Sequence, residues 1–270
     1  MTVSNGLVTL ADMLAFLPNS TNAVTAMLEQ AIEAASIAIC TYKGSAHFWY
    51  PVVAARKFDL PRGRELALRS DLLEILSVVN GDGSVLDASG YRAEPINYYP
   101  KTSIVINSGA ALMFLQSVTT FAENAVTVNG IWGYHAYYPV AWALASTLSG
   151  AINASTTTVA VTSSTPYSAG QIVRCNDELM LVTAVATNSL TVIRAWNGST
   201  AAAHDSLTAL PVWKTQADVA RGCMIQAARY YKRNEAVFGT TGGGEMGTQA
   251  ITIPLDPDVA AILDQYIPRF

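Results

Sequence analysis

At 270 residues the chain is long enough for one large domain, or for a domain with a smaller companion. Hydrophobic residues make up 51% and charged residues only 13%, against about a quarter in an ordinary globular domain. A net charge of −4 and a pI near 5.3 exclude a nucleic-acid-binding surface as the main business. No apolar run approaches the roughly 18–20 residues that span a bilayer, and Met1–Gly6 has neither the basic nor the apolar part of a signal peptide. The expectation is a soluble chain, made inside the cell, whose charge-poor surface is covered by partners.

The chain opens with helices. Thr9-Leu10-Ala11-Asp12 has the Thr-x-x-acid form of a helix start, and Leu10, Met13, Leu14 and Leu17 then share one face. Pro18 ends that helix, and residues 19–22 supply new caps. A longer helix runs to about Tyr42, with Val24, Met27, Leu28, Ala31, Ile32, Ala35, Ile39 and Tyr42 at helical spacing, and Gly44 as its stop.

Residues 46–135 turn β-rich. Leu73–Val79, a Gly-containing turn and Ser84–Asp87 read as a hairpin; Ser103–Asn107 and Ala125–Gly130 read as strands. Arg56, Lys57, Arg62, Arg64 and Arg69 concentrate positive charge, as a solvated loop or as a contact for DNA or an acidic partner. Residues 150–213 form a separate all-β unit. Thr157–Thr162, Gln171–Cys175, Glu178–Val185 and Ser189–Arg194 are strands at the spacing of a small sandwich or barrel. Helix returns from Thr215 to about Asn234, with Val219, Ala220, Cys223, Met224, Ala227, Tyr230 and Tyr231 in one stripe. Residues 239–247 read as a glycine-rich connector, and Pro257–Tyr266 as a last helix capped by Asp256.

The fold class is therefore α+β. It combines a helical core from the terminal helices, a β-rich middle and an inserted β-sandwich or barrel that loops out. The division is 1–149, 150–213 and 214–270, with the last packing on the first.

Reactive chemistry is not apparent. His47, His135 and His204 lack metal-ligand spacing, and Cys40, Cys175 and Cys223 are isolated in apolar contexts. Asp177-Glu178 are neighbours in sequence, which on a strand puts them on opposite faces, so a turn suits them better than paired catalysis. No catalytic, metal or cofactor-binding residue is assigned. The aromatic stretches holding Trp49, Tyr50, Trp132, Tyr134, Tyr137 and Tyr138 admit two readings, internal packing or contact between subunits.

The two opening helices, over residues 7–17 and 20–43, resemble the start of the tailed-bacteriophage head–tail connector (adaptor) family. Ala125–His135, an apolar strand running into Gly-Ile-Trp-Gly-Tyr, resembles a recurring feature of the same family. The unit from Ser168 through Asp177-Glu178, Leu190–Arg194 and Asn197–His204 is similar to modules of phage virion proteins, departing where Arg194-Ala195 stands for Arg-Gly. The resemblance implies a structural protein with no enzymatic activity, forming a homo-oligomeric ring, commonly of twelve, under the portal vertex. Double-stranded DNA would pass through it, and a stopper or tail-completion protein would dock on it. It further implies that the tail, with Ile251, Ile253, Leu255, Ile262, Leu263, Tyr266, Ile267, Arg269 and Phe270, reaches onto the portal. A terminal helix packed on its own subunit is the other reading of that tail. The rival function is another virion component, a capsid decoration or tail protein using the β unit to bind.

Overall fold

The computed structural model describes residues 4–17, 24–42, 49–116, 122–235 and 255–266, without the side chains of Asn234 and Glu235. These comprise four α-helices and eleven strands in two antiparallel sheets, a mixed α+β fold.

Helix α1 (Leu10–Phe16) starts on a complete capping box: Thr9 Oγ1 accepts from the Asp12 amide at 3.1 Å, and the Asp12 carboxylate accepts from the Thr9 amide at 2.9 Å. Helix α2 (Thr25–Cys40) buries Leu28, Ala31, Ile32, Ala35 and Ile39, the stripe expected from the spacing. Val24, assigned to that stripe, is instead the exposed N-cap, because the helix begins after it. Helix α3 (Ala217–Glu235) contributes Val219, Cys223, Ala227 and Tyr231, and α4 (Pro257–Leu263) contributes Val259 and Leu263, to one apolar cluster shared with α1 and α2. Each Leu- or Val-sized side chain buried there contributes roughly 1.5–3 kcal/mol. Ser36 is the polar exception. Its hydroxyl donates to the Ile32 carbonyl at 2.7 Å and accepts from the Leu7 amide at 3.1 Å, tying the N-terminal segment to α2.

The first sheet has the order β1-β5-β2-β4-β3, formed by β1 (Val52–Phe58), β2 (Glu65–Val79), β3 (Tyr91–Glu94), β4 (Lys101–Ile106) and β5 (Val126–Trp132). On β5, Val126, Val128 and Trp132 face one cluster and Ile131 the opposite one, as strand alternation requires. Gly130 lies so close to β2 that a Cβ there would stand 2.6 Å from the Glu74 carbonyl oxygen, so β5 can approach β2 only with glycine at that point.

Two expectations change here. The basic stretch 56–69 is only partly loop: Arg62 and Arg64 lie exposed in the connection after β1, whereas Arg56 and Lys57 lie on β1 and Arg69 in a bulged part of β2, at φ 46°. The expected hairpin shrinks to a single bridge, Val79–Val85, after a β2 much longer than the sequence pattern indicated. Asn80 organises that turn, its side chain bonding Ser84, Met113 and Leu115.

The second sheet runs β6-β11-β8-β9-β10-β7, with β6 (Trp142–Thr147), β7 (Thr158–Ala160), β8 (Ile172–Cys175), β9 (Glu178–Ala186), β10 (Ser189–Ile193) and β11 (Ala209–Trp213). A Leu148–Val161 bridge, flanked by amide-to-carbonyl bonds from Thr162 to Thr147 and from Ser149 to Ala160, joins the ends of the two outermost strands and closes the sheet into a barrel. The unit thus begins at Trp142 rather than at residue 150.

Nor is the barrel looped out. Ile172, Leu179, Leu181 and Trp213 on its outer face share a cluster with Leu73 and Ile131 of the first sheet. The barrel is docked on that sheet, and its interior is a separate core holding Val159, Val173, Met180, Val182, Leu190 and Val212.

Candidate functional site

Alternation along β9 decides where its first residue points. Met180 and Val182 face the barrel interior, so Glu178, two and four residues earlier, faces inward as well, as does Arg194, two residues after inward-facing Val192. The carboxylate and guanidinium meet in a two-point pair, Nε to Oε1 at 2.7 Å and Nη2 to Oε2 at 2.8 Å. His204 Nε2 lies 2.8 Å from Oε2, and the amides of Ala195 and Ala202 donate to the carboxylate at 3.1 and 3.0 Å. The rest of the guanidinium donates to the carbonyls of Asn153, Thr156 and Ala202. The three side chains are 0%, 6% and 2% exposed for Glu178, Arg194 and His204.

Although burial opposes ionisation, these donors hold the Glu178 carboxyl at about 2, far below its ordinary 4.5. The carboxylate remains charged, and with five donors on its two oxygens it has no free position for a substrate proton. The cluster is a structural tie joining β9, the end of β10 and the segment around His204.

The sequence left these three residues apart because they are separated by 16 and 10 positions and only strand register unites them. The available signal was scarcity, since few charges lie within residues 150–213. Asp177 and Glu178 divide at the boundary between the β8–β9 turn and the start of β9. Asp177 sits in the exposed turn 3.3 Å from Arg174, and Glu178 is inside, which corrects the placement of both in a turn.

A second ionic group spans the barrel and the first sheet. Arg174, on the outer face of β8, holds Glu74 of β2 through two bonds of 2.7 and 2.9 Å. The Tyr138 hydroxyl donates to Glu74 at 2.6 Å, and the Trp142 indole reaches that hydroxyl at 3.3 Å. Burial and the adjacent carboxylate push the Tyr138 hydroxyl up, while Arg174 and Tyr138 hold Glu74 below its ordinary value.

A third, uncharged group joins the barrel to the N-terminal segment. Asn5 Oδ1 accepts from the Trp196 indole and the Asn197 amide, both at 2.9 Å, and Asn197 also donates to the Pro51 carbonyl. The loop that makes these bonds is left-handed at Ala195 (φ 54°) and Asn197 (φ 47°). Gly198, at φ 80°, presses so closely on β1 that a Cβ would stand 2.4 Å from the Val53 carbonyl oxygen.

The aromatic residues considered for subunit contact fall mostly inside. Trp49, Trp132 and Tyr138 are buried within the chain, which corrects their assignment to an interface. Trp49 packs at a tilt against Tyr134 and edge to face against Tyr266, at centroid distances of 4.9 and 5.0 Å, and Trp132 donates to the Ala54 carbonyl beneath the Arg56 guanidinium. Tyr50 and Tyr134 are half-buried, and Tyr137 is 69% exposed.

The residues assigned to portal docking are likewise redirected. Leu255 and Leu263 are buried in the helical cluster, with Tyr266 packed against its edge. Ile262 is half-buried, and its methyl lies 3.8 Å from where a Cβ on Gly222 of α3 would stand. Tyr266 also bonds Asp218 and Gln216 of the α3 start. An amphipathic segment this close to α3 buries its apolar face there. Ile251, Ile253, Ile267, Arg269 and Phe270, and with them His47, Pro18, Gly44, residues 19–22 and the 239–247 connector, lie outside the described residues.

His135 is buried, its Nδ1 accepting from the Tyr137 amide at 3.1 Å, and burial lowers its basicity. Cys175 and Cys223 are buried; Cys40 is half-buried, its thiol pushed up to about 11 by burial. Among the described residues no group of His, Cys, Asp and Glu is placed to hold a metal ion, and no helix is long and apolar enough to cross a membrane.

Comparison with known protein families, curated proteins and solved structures finds no match to this chain.

Proposed function

We propose that this chain is a structural component of a tailed-phage particle, a head–tail connector whose copies form a ring under the portal, extend the DNA channel and dock the next neck or tail protein. The terminal helices would form its frame and the barrel its added module. One observation carries the reading. The Glu178–Arg194–His204 cluster is satisfied internally, while large apolar side chains, among them Tyr137, Val140 and Leu144 at 69–74% exposure, remain outside on a chain with only 13% charged residues. Such a surface suits permanent assembly, since apolar area left in water is a liability for a free monomer. The likeness of residues 7–43 and of Ala125–His135 to the connector family supports the same reading, as does the acidic net charge, which weakens retention of passing DNA.

The rival, a decoration or tail protein binding through its barrel, draws support from the barrel's closed sheet and independent core. Against it, part of the barrel's outer face is already covered by the first sheet. Native mass spectrometry and negative-stain imaging of the full chain with purified portal protein test the proposal. A ring seated on the portal is expected. A lasting monomer that never engages portal overturns it.

A further inference from the structure

The barrel, Trp142–Trp213, carries five charged residues, and four of them are paired within the chain: Glu178 with Arg194, and Arg174 with Asp177 as well as with Glu74 of β2. Asp205 is the fifth. It is exposed, and its carboxylate meets no partner among the described residues. Two positions on, Leu207 is 75% exposed, and its backbone is left-handed at φ 67°, a conformation that turns ordinarily give to glycine. A leucine in water and a strained backbone are both unfavourable in the free chain. Strain of this kind collects at ligand clamps and other working sites.

The turn that presents both residues is held firmly. Thr208 donates to the Asp205 carbonyl from its amide at 3.4 Å and from its hydroxyl at 2.7 Å, and the Leu207 amide donates to the Leu148 carbonyl at 2.9 Å. Just before the turn, His204 and Ile152 exchange amide-to-carbonyl bonds, both at 2.9 Å. Little freedom is left to lose on binding.

A matching cavity lies at the other end of β11. It is a cleft of about 510 Å³ between the helical frame and the barrel. Leu7, Ile172 and Trp213 are its buried lining, and Phe16 of α1 and Met224 of α3 are more accessible. Lys214 also lines it, exposed and without a partner among the described residues. The other charged residue described there, Asp12, is engaged by the α1 cap, accepting from the Thr9 amide and hydroxyl at 2.9 and 2.7 Å.

Leu207 precedes β11 and Lys214 follows it, which sets them roughly 20 Å apart at the rise of a strand. The turn therefore cannot enter the cleft of its own chain, and a match between them needs a second copy. The complementarity is twofold: an exposed leucine faces an apolar cleft, and a lone carboxylate faces a lone ammonium. Because turn and cleft are different surfaces, the contact is head-to-tail, the type that closes into rings.

We infer that the Asp205–Thr208 turn of one copy inserts Leu207 into the frame–barrel cleft of the next copy, with Asp205 set against Lys214. This rests on the ring reading above and names an interface that the ring would use.

Full-length chains, alone and with portal protein, test it by sedimentation velocity and native mass spectrometry. Leu207→Gly removes the inserted side chain and relieves the backbone. Its melting temperature as a monomer should equal or exceed that of wild type, while self-association weakens by at least about tenfold. Asp205→Lys and Lys214→Asp should each weaken self-association by roughly threefold to tenfold, and the double variant should restore it, because each contact then regains opposite charges. A Leu207→Gly chain that assembles like wild type, or a double variant no better than the single ones, overturns the inference and leaves the ring reading intact. Loss of portal binding by Leu207→Gly with self-association unchanged assigns the turn to the portal and also overturns it. Wild type that associates through Leu207 yet ignores portal leaves the inference standing and removes the connector reading. Wild type that stays monomeric with and without portal removes both.

Discussion

The Glu178–Arg194 pair and the Glu74–Arg174 pair share the same two-point geometry, with a closest contact of 2.7 Å in each, yet they work in opposite settings. The first is sealed in the barrel, with side chains 0% and 6% exposed, and every remaining donor and acceptor is met by backbone or His204. The second stands at the junction with the first sheet, where Glu74 is 35% and Arg174 17% exposed. In the interior, losing one partner strands a charge away from water; at the junction, water replaces much of what is lost. The comparison therefore assigns the fold of the barrel to the first pair and the seating of the barrel on the sheet to the second.

The sharpest way to break this contrast is Glu178→Gln. It leaves the Arg194 guanidinium buried without its counter-charge and should lower stability by about 3–5 kcal/mol in denaturant titration. A loss below about 1 kcal/mol would erase the distinction between the two pairs. The pH response comes next. The folded-state carboxyl of Glu178 is depressed to about 2 from 4.5, so its contribution is complete above pH 4.5 and is lost as pH falls toward 2. Wild-type melting temperature should drop across that window, and the Glu178→Gln variant should show a flatter profile. At the junction, Glu74→Gln should cost only about 1 kcal/mol, discounted for exposure. Its effect should show as faster hydrogen exchange in β2 and β8 with the barrel interior still protected. The smallest effect concerns Ala195. A left-handed alanine is strained where glycine is not, so Ala195→Gly should raise stability by roughly 0.5–1 kcal/mol in the same titration.

That last position shows how far the sequence could be read. The departure from Arg-Gly at Arg194-Ala195 is visible in the sequence, while its physical meaning, a left-handed backbone that carries the 196–198 loop onto β1, appears only in three dimensions. The capping box at Thr9 and the strands β8 to β10 were legible because local rules specify them: side-chain caps, alternation, and turns at Asn176 and Asn188. β6 and β11 were not. Trp142–Thr147 is rich in alanine, and Pro211 lies within Ala209–Trp213, so neither carries an ordinary strand signal. β1 and the start of β2 were obscured by arginines and lysine that read as a loop. Long-range pairing explains the remainder. Glu178, Arg194 and His204 converge through register, and Tyr99 meets Tyr138 ring to ring, neither of which is local in sequence.

Under the proposed function, the chain is a repeated building block whose exposed apolar side chains are covered by other copies and the portal. A density map of an intact tailed particle containing this chain tests that most directly. Repeated copies around the channel just below the portal, with the apolar patch of Tyr137, Val140 and Leu144 buried between neighbours, are the expected result. The chain located on the capsid or tail surface, with that patch facing solvent, would contradict it.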